Sequence, residues 1–125
     1  MLVWLLWVAG GGMLCALVFV FCPYAWMQGI HARLGMGELA CTPLLNYLIR
    51  TLSAMYGTLG ALFLFISGDV CRYRPLVGFL GVVAVLEGVG VTILDSVLGL
   101  PLFWTVTEGP LTALLGLALL VLRRR

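Results

Sequence analysis

The amino-acid sequence predicts an all-α integral membrane protein, an up-down-up-down four-helix bundle in one transmembrane domain over residues 1–125. Three observations predict it. Hydrophobic residues make up 63% of the chain, charged residues only 10%, and the mean hydropathy is +1.18. A soluble domain this small has a large surface and needs more charge to keep it hydrated. Second, four runs are long and apolar enough to cross a bilayer, which takes about 20 residues at roughly 1.5 Å each. Third, no run alternates apolar and polar residues as a barrel strand does.

The first span covers about residues 1–22, Met1 to Cys22, and carries no charged side chain. A cleaved signal peptide would show a basic start, a shorter apolar run and a small-x-small site. The segment shows none of these, and "FVFC" lacks the small residues of a lipoprotein box, so it reads as a permanent helix. The connection that follows, "PYAWMQGIHARLGMGELACTP", is the long one. Met27, Ile30 and Leu34 recur there at helical spacing, which predicts a short interfacial helix closed by Gly35 and Gly37. The second span covers about 43–67, starting at Pro43. The third covers about 75–98, where Pro75 suits a first turn because its missing N–H costs nothing. "LGLP" reads as a tight turn into the fourth span, about 103–122. Short connections join antiparallel neighbours.

Orientation follows from arginine placement. The chain has seven Arg and no Lys. With four crossings, Arg72, Arg74, Arg123, Arg124 and Arg125 fall on one side and Arg33 alone in the long loop on the other. The positive-inside rule then puts both termini in the cytoplasm. Tyr24, Trp26, Phe103 and Trp104 form part of an aromatic belt at the outer interface. The net charge of +2, with arginines scattered or terminal, gives no basic face for nucleic acid.

Within the spans, Gly10, Gly11, Gly12, Ser53, Gly57, Gly60, Gly78, Gly81, Gly88 and Gly116 read as packing residues, because helices in lipid associate by close van der Waals approach. The ionisable residues are the informative ones. Arg50 lies about 10 Å in from the outer end of its span, Glu108 about 8 Å and Asp95 about 5–8 Å. Three charges on three helices thus share a level. A lone charge at such depth is costly, so pairing is expected. Arg50 offers five donors, with Asn46 one turn earlier, and a cluster of Asn46, Arg50, Asp95, Trp104 and Glu108 follows as the candidate ligand-binding or buried polar site. Two acids against one base leave a retained proton, or a cation or donor-rich ligand, to balance the site. The alternative is structural: Thr105-x-x-Glu108 has capping-box spacing, with Gly109 and Pro110 in a helix's first turn.

Glu87 lies about 18 Å along its helix from Pro75, near mid-membrane, with no basic residue at that depth. It reads as a neutral acid hydrogen-bonded to Tyr56, Thr58 or Thr92, with a proton site as the functional alternative. Cys22 and Cys41 flank the long loop and could bond if that side is oxidising. No CxxC occurs, His31 is the only histidine, and no phosphate-binding loop or nucleophile elbow appears, so neither a metal, a cofactor nor a catalytic residue is indicated.

The length, the four spans and the segments "YLIRTLSAMYGTLGALFL" and "TEGPLTALLGLALL" resemble small four-helix bacterial membrane proteins of the DoxX-like kind. A more distant likeness is to the EXPERA type of sterol-handling four-helix proteins, which also place carboxylates in a bundle. The likeness implies a bacterial inner-membrane protein and assigns no site residue. The expected function is a structural or accessory membrane subunit, with lipid and a partner protein or second copy around it. The alternatives are a binding protein for a lipid-like or quinone-like molecule in an outward-facing pocket, and a proton-coupled transport component using Glu87.

Overall fold

The computed structural model describes residues 1–124; Arg125, counted above among the cytoplasmic arginines, lies outside them. The described chain is helical and contains no strand. Four helices are long and apolar enough to cross a membrane: α1 (Leu2–Phe21), α3 (Pro43–Ser67), α4 (Arg74–Leu98) and α5 (Leu102–Leu122). A shorter helix, α2 (Tyr24–Arg33), occupies the long connection. Each span starts or ends within two residues of its expected bounds.

The helix ends have local causes. α1 tightens to a 3₁₀ turn at Cys15–Leu17 and stops where Cys22 becomes extended ahead of Pro23. α2 ends before Gly35, whose φ of +73° suits a residue with no Cβ. At the start of α3, Thr42 accepts a hydrogen bond from the Leu45 N–H at 3.2 Å, and Pro43 fills the first turn. α4 closes with Gly99 at φ +68°. The Gly99 N–H returns to Ser96 O and the Leu100 N–H to Asp95 O, the paired bonds of a Schellman cap.

α5 corrects one expectation. It begins at Leu102, straight after Pro101, and the N–H groups of Trp104 and Thr105 already bond Pro101 O. Thr105 and Glu108 therefore sit inside the helix and form no capping box, because the first-turn donors are satisfied upstream. Pro110, expected in a first turn, is interior. Having no N–H, it leaves the Val106 carbonyl without its usual partner. Thr107 and Thr112 turn their hydroxyls back onto Phe103 O and Glu108 O at 2.7 and 2.9 Å, so these polar groups need no water.

The chain divides into two compact units. One, Val3–Gly68, holds α1 from Val3 onward, α2 and α3. Within it α1 and α3 run antiparallel and touch at glycine: a Cβ built on Gly60 would lie 2.6 Å from Gly10 O, and the Leu17 side chain sits on Gly57. Phe63 and Ile66, at 3% and 0% exposure, are among its most buried side chains. Of the face expected on α2, only Met27 is buried; Ile30 and Leu34 are exposed, alongside Trp26.

The other unit runs from Asp69 and includes Met1 and Leu2. It is a helical hairpin of α4 and α5. Gly81 meets Gly116, and Gly88 meets Gly109, with built Cβ atoms 2.6 Å from the facing carbonyl at Gly88 and at Gly116. Both pairs are spaced seven residues apart along each helix, so the two backbones stay in close contact for two turns. At the lower end the Arg123 guanidinium lies on Gly78.

Candidate functional site

Three polar arrangements emerge from these elements. The first is the end of α1. Arg50, in the second turn of α3, donates from Nε to Asn46 Oδ1 at 2.7 Å, from one terminal nitrogen to Val20 O, and from the other to Cys22 O at 3.1 Å. Val20 and Cys22 carry orphan carbonyls at a helix C-terminus, where the helix dipole favours a cation. Asn46 sits one turn before Arg50 and fixes the fork's angle. The sequence reading put Asn46 and Arg50 together and the structure does so too. The partners it missed are backbone carbonyls, which no side-chain motif announces.

The second is the acid-bearing hairpin. Asp95 is 4% exposed, and one of its carboxylate oxygens has no hydrogen-bond partner. The Glu108 carboxylate, half-buried, lies one turn after Trp104 on α5 and within electrostatic reach of Asp95 and, more weakly, Glu87. The glycine register explains the meeting. Thr92 packs on Gly109, so the next turn of α4 carries Asp95 up to the level of Trp104 and Thr105. Phe103 and Trp104 make an edge-to-face pair with centroids 6.2 Å apart. Asp95, Trp104 and Glu108 thus form one end of the hairpin. Glu87 is different: it is exposed. Thr58 and Thr92 turn their hydroxyls to Ala54 O and Gly88 O of their own helices.

The third arrangement was not legible in the sequence. Tyr24, Gln28 and His31 lie on one face of α2, at i, i+4 and i+7. They hydrogen-bond three carbonyls of the extended segment after it: Tyr24 OH to Ala40 O at 2.6 Å, Gln28 Nε2 to Leu39 O at 3.0 Å, and His31 Nδ1 to Gly37 O at 3.1 Å. An open groove of about 530 Å³, bordered by Gln28, Ala32, Glu38, Leu39, Ala40 and Cys41, lies between helix and strap. Partial burial, and then the Cys41 thiol, push the Tyr24 phenol above its ordinary 10.0. Cys22 is buried and Cys41 exposed, each as a free cysteine in this structure.

Family models, curated proteins and solved structures give no match to this chain. The chemistry must therefore be read from the side chains. Arg50, Tyr24, Gln28 and His31 spend their donors inside the unit and serve its architecture. Among the described residues, one Asp95 carboxylate oxygen and Arg123 Nε are buried without a hydrogen-bond partner.

Proposed function

We propose that the chain is a non-enzymatic, membrane-embedded assembly subunit that works by holding a neighbour within the bilayer. One observation carries this reading: Glu87, halfway along α4, is exposed on a spanning helix. A carboxyl group facing hydrocarbon alone is costly, and residues of this kind face another helix or a polar cavity. The setting is a bacterial inner membrane crossed four times, up and down, with both termini cytoplasmic. Arg72, Arg74, Arg123 and Arg124 on one side support that orientation. Trp26 and Ile30 on α2 and Leu34 just after it, all exposed, support its lying in the outer headgroup layer. The test is extraction in mild detergent followed by mass determination of the intact complex. The proposal expects a species heavier than one chain, diminished by Glu87→Leu and kept by Glu87→Gln. A lone chain in every case refutes it.

A second reading rests on Asp95. A buried acceptor without a donor suits a ligand that brings a hydroxyl or N–H to it, such as a quinol, with Trp104 as its aromatic wall. Thermal stabilisation by a short-chain quinol, lost in Asp95→Asn, would support this reading. Equal behaviour of the two proteins would remove it.

A further inference from the structure

The lower end of the hairpin gathers arginines. Arg72 and Arg74 lie just before and at the start of α4, and Arg123 and Arg124 follow the end of α5. Of the acidic side chains in this unit, Glu87, Asp95 and Glu108 lie further along the helices. Asp69 lies at the arginine end, and its carboxylate already accepts the Arg72 backbone N–H at 3.1 Å. The Arg123 guanidinium occupies the space that a side chain at Gly78 would fill, and its Nε is buried without a hydrogen-bond partner among the described residues. Arg123 as a whole is only half-buried, so its charge is reachable from outside. Arg74 sits one turn before Gly78, on the same face of α4, and is exposed. The hairpin thus brings Arg74 and Arg123 to one face from opposite ends of the unit's sequence.

We propose that Arg74 and Arg123 together bind the phosphate of an acidic phospholipid headgroup, with Gly78 as the notch that seats Arg123. Charge selects an anion. Neighbouring guanidinium groups repel each other, and an anion between them turns that repulsion into attraction. The dipole at the end of α5 helps hold Arg123, but a helix end supplies only about half a negative charge, so a counter-ion is still needed. Chemistry selects phosphate, whose oxygens match the planar fork of arginine. Place selects a lipid as its source. α4 begins at Arg74 and α5 ends at Leu122, and both are long and apolar enough to cross a membrane. Their shared end therefore leaves the hydrocarbon at the level of the lipid phosphates. Arg72, whose guanidinium carbon lies 5.8 Å from the Tyr73 ring centroid, and the exposed Arg124 add to the field there. That field favours a headgroup of net negative charge over phosphocholine, which brings a cation of its own to the same arginines. The proposal is independent of the assembly reading above, since it involves neither Glu87 nor a second protein.

The test is lipid binding by the full chain in mild detergent, counted by native mass spectrometry during titration with phosphatidylglycerol or phosphatidylcholine. The proposal expects phosphatidylglycerol to bind in preference. Its affinity should fall about 5-fold in Arg74→Gln and in Arg123→Gln, the loss expected for one arginine at an anionic surface. Arg33→Gln removes the same charge from the end of α2 and should leave the affinity as it was. Gly78→Ala keeps every arginine but puts a Cβ where the Arg123 guanidinium lies, so it too should weaken binding. Adding Gly78→Ala to Arg123→Gln should then cost little more, because the two changes act on one contact. Circular dichroism of each variant shows that the helices remain, and if Gly78→Ala loses them the two arginine variants decide alone. Equal binding of the two lipids overturns the proposal, as does a loss in Arg33→Gln equal to that in Arg123→Gln. So does displacement of phosphatidylglycerol by inorganic phosphate at equal concentration, which would make this a site for a free anion.

Discussion

The glycine contacts of the α4–α5 hairpin give the sharpest quantitative prediction. Gly88→Ala adds a Cβ that would lie 2.6 Å from Gly109 O, and closer still to the Ala113 N–H, where ordinary contact begins near 3.4 Å. The obstacles are backbone atoms of the facing helix, so no side chain can swing aside. The helices must part locally by roughly 1 Å, and overpacking of this kind costs about 1–3 kcal/mol. Alanine returns about 0.5–1 kcal/mol through helix preference. The expected net loss is about 1–2 kcal/mol. Gly12→Ala is the matched control, since a Cβ there meets nothing within 4 Å and only the helix gain remains. Sodium dodecyl sulfate titration in mild detergent, followed by circular dichroism, measures both. Gly116→Ala acts at the other contact, two turns away, so its loss should add to that of Gly88→Ala. Gly109→Ala acts at the same contact and should add less than its own value. If Gly88→Ala proves as stable as Gly12→Ala, the close approach of the two backbones is wrong.

Four further outcomes follow from the other contacts. Arg50→Met keeps the stem but strips donors from Val20 O, Cys22 O and Asn46; it should cost about 2–4 kcal/mol and speed hydrogen exchange at the end of α1. Thr42→Ala removes the cap on the Leu45 N–H, costs about 1 kcal/mol, and should raise exchange at that amide first. Tyr24 should titrate above 10.0 by ultraviolet absorbance. Because its proton is held more tightly in the folded chain, the stability it contributes is complete below that pH and is lost as pH rises through the shifted value. Gln28→Ala and Tyr24→Phe each release one carbonyl of the strap, so maleimide labelling of the nearby Cys41 should accelerate severalfold in the double variant.

Much of the fold was written in local chemistry. Span length and composition set α1, α3, α4 and α5, because a bilayer imposes a fixed thickness and helices satisfy their own backbone. Pro43, Pro75 and Gly99 marked boundaries that need only the residue itself. Gly81 and Gly88, read from the sequence as packing residues, lie on the face of α4 that meets α5. The start of α5 was less legible. "TxxE" can cap a helix anywhere, and only the extended Pro101 and its bonds to Trp104 and Thr105 decided that the helix begins earlier.

The sequence by itself determined how many helices there are, how long they are, and that its few charges need partners. Those follow from transfer energies of single residues between water and hydrocarbon, which depend on composition and periodicity alone. The tertiary structure decided particular partners: backbone carbonyls of α1 for Arg50, and one Asp95 carboxylate oxygen left without a donor among the described residues. A hydrogen bond requires atoms within about 3 Å of each other. Residues such as Val20 and Arg50, thirty positions apart, reach that distance only through the packing of whole helices, which no local pattern records.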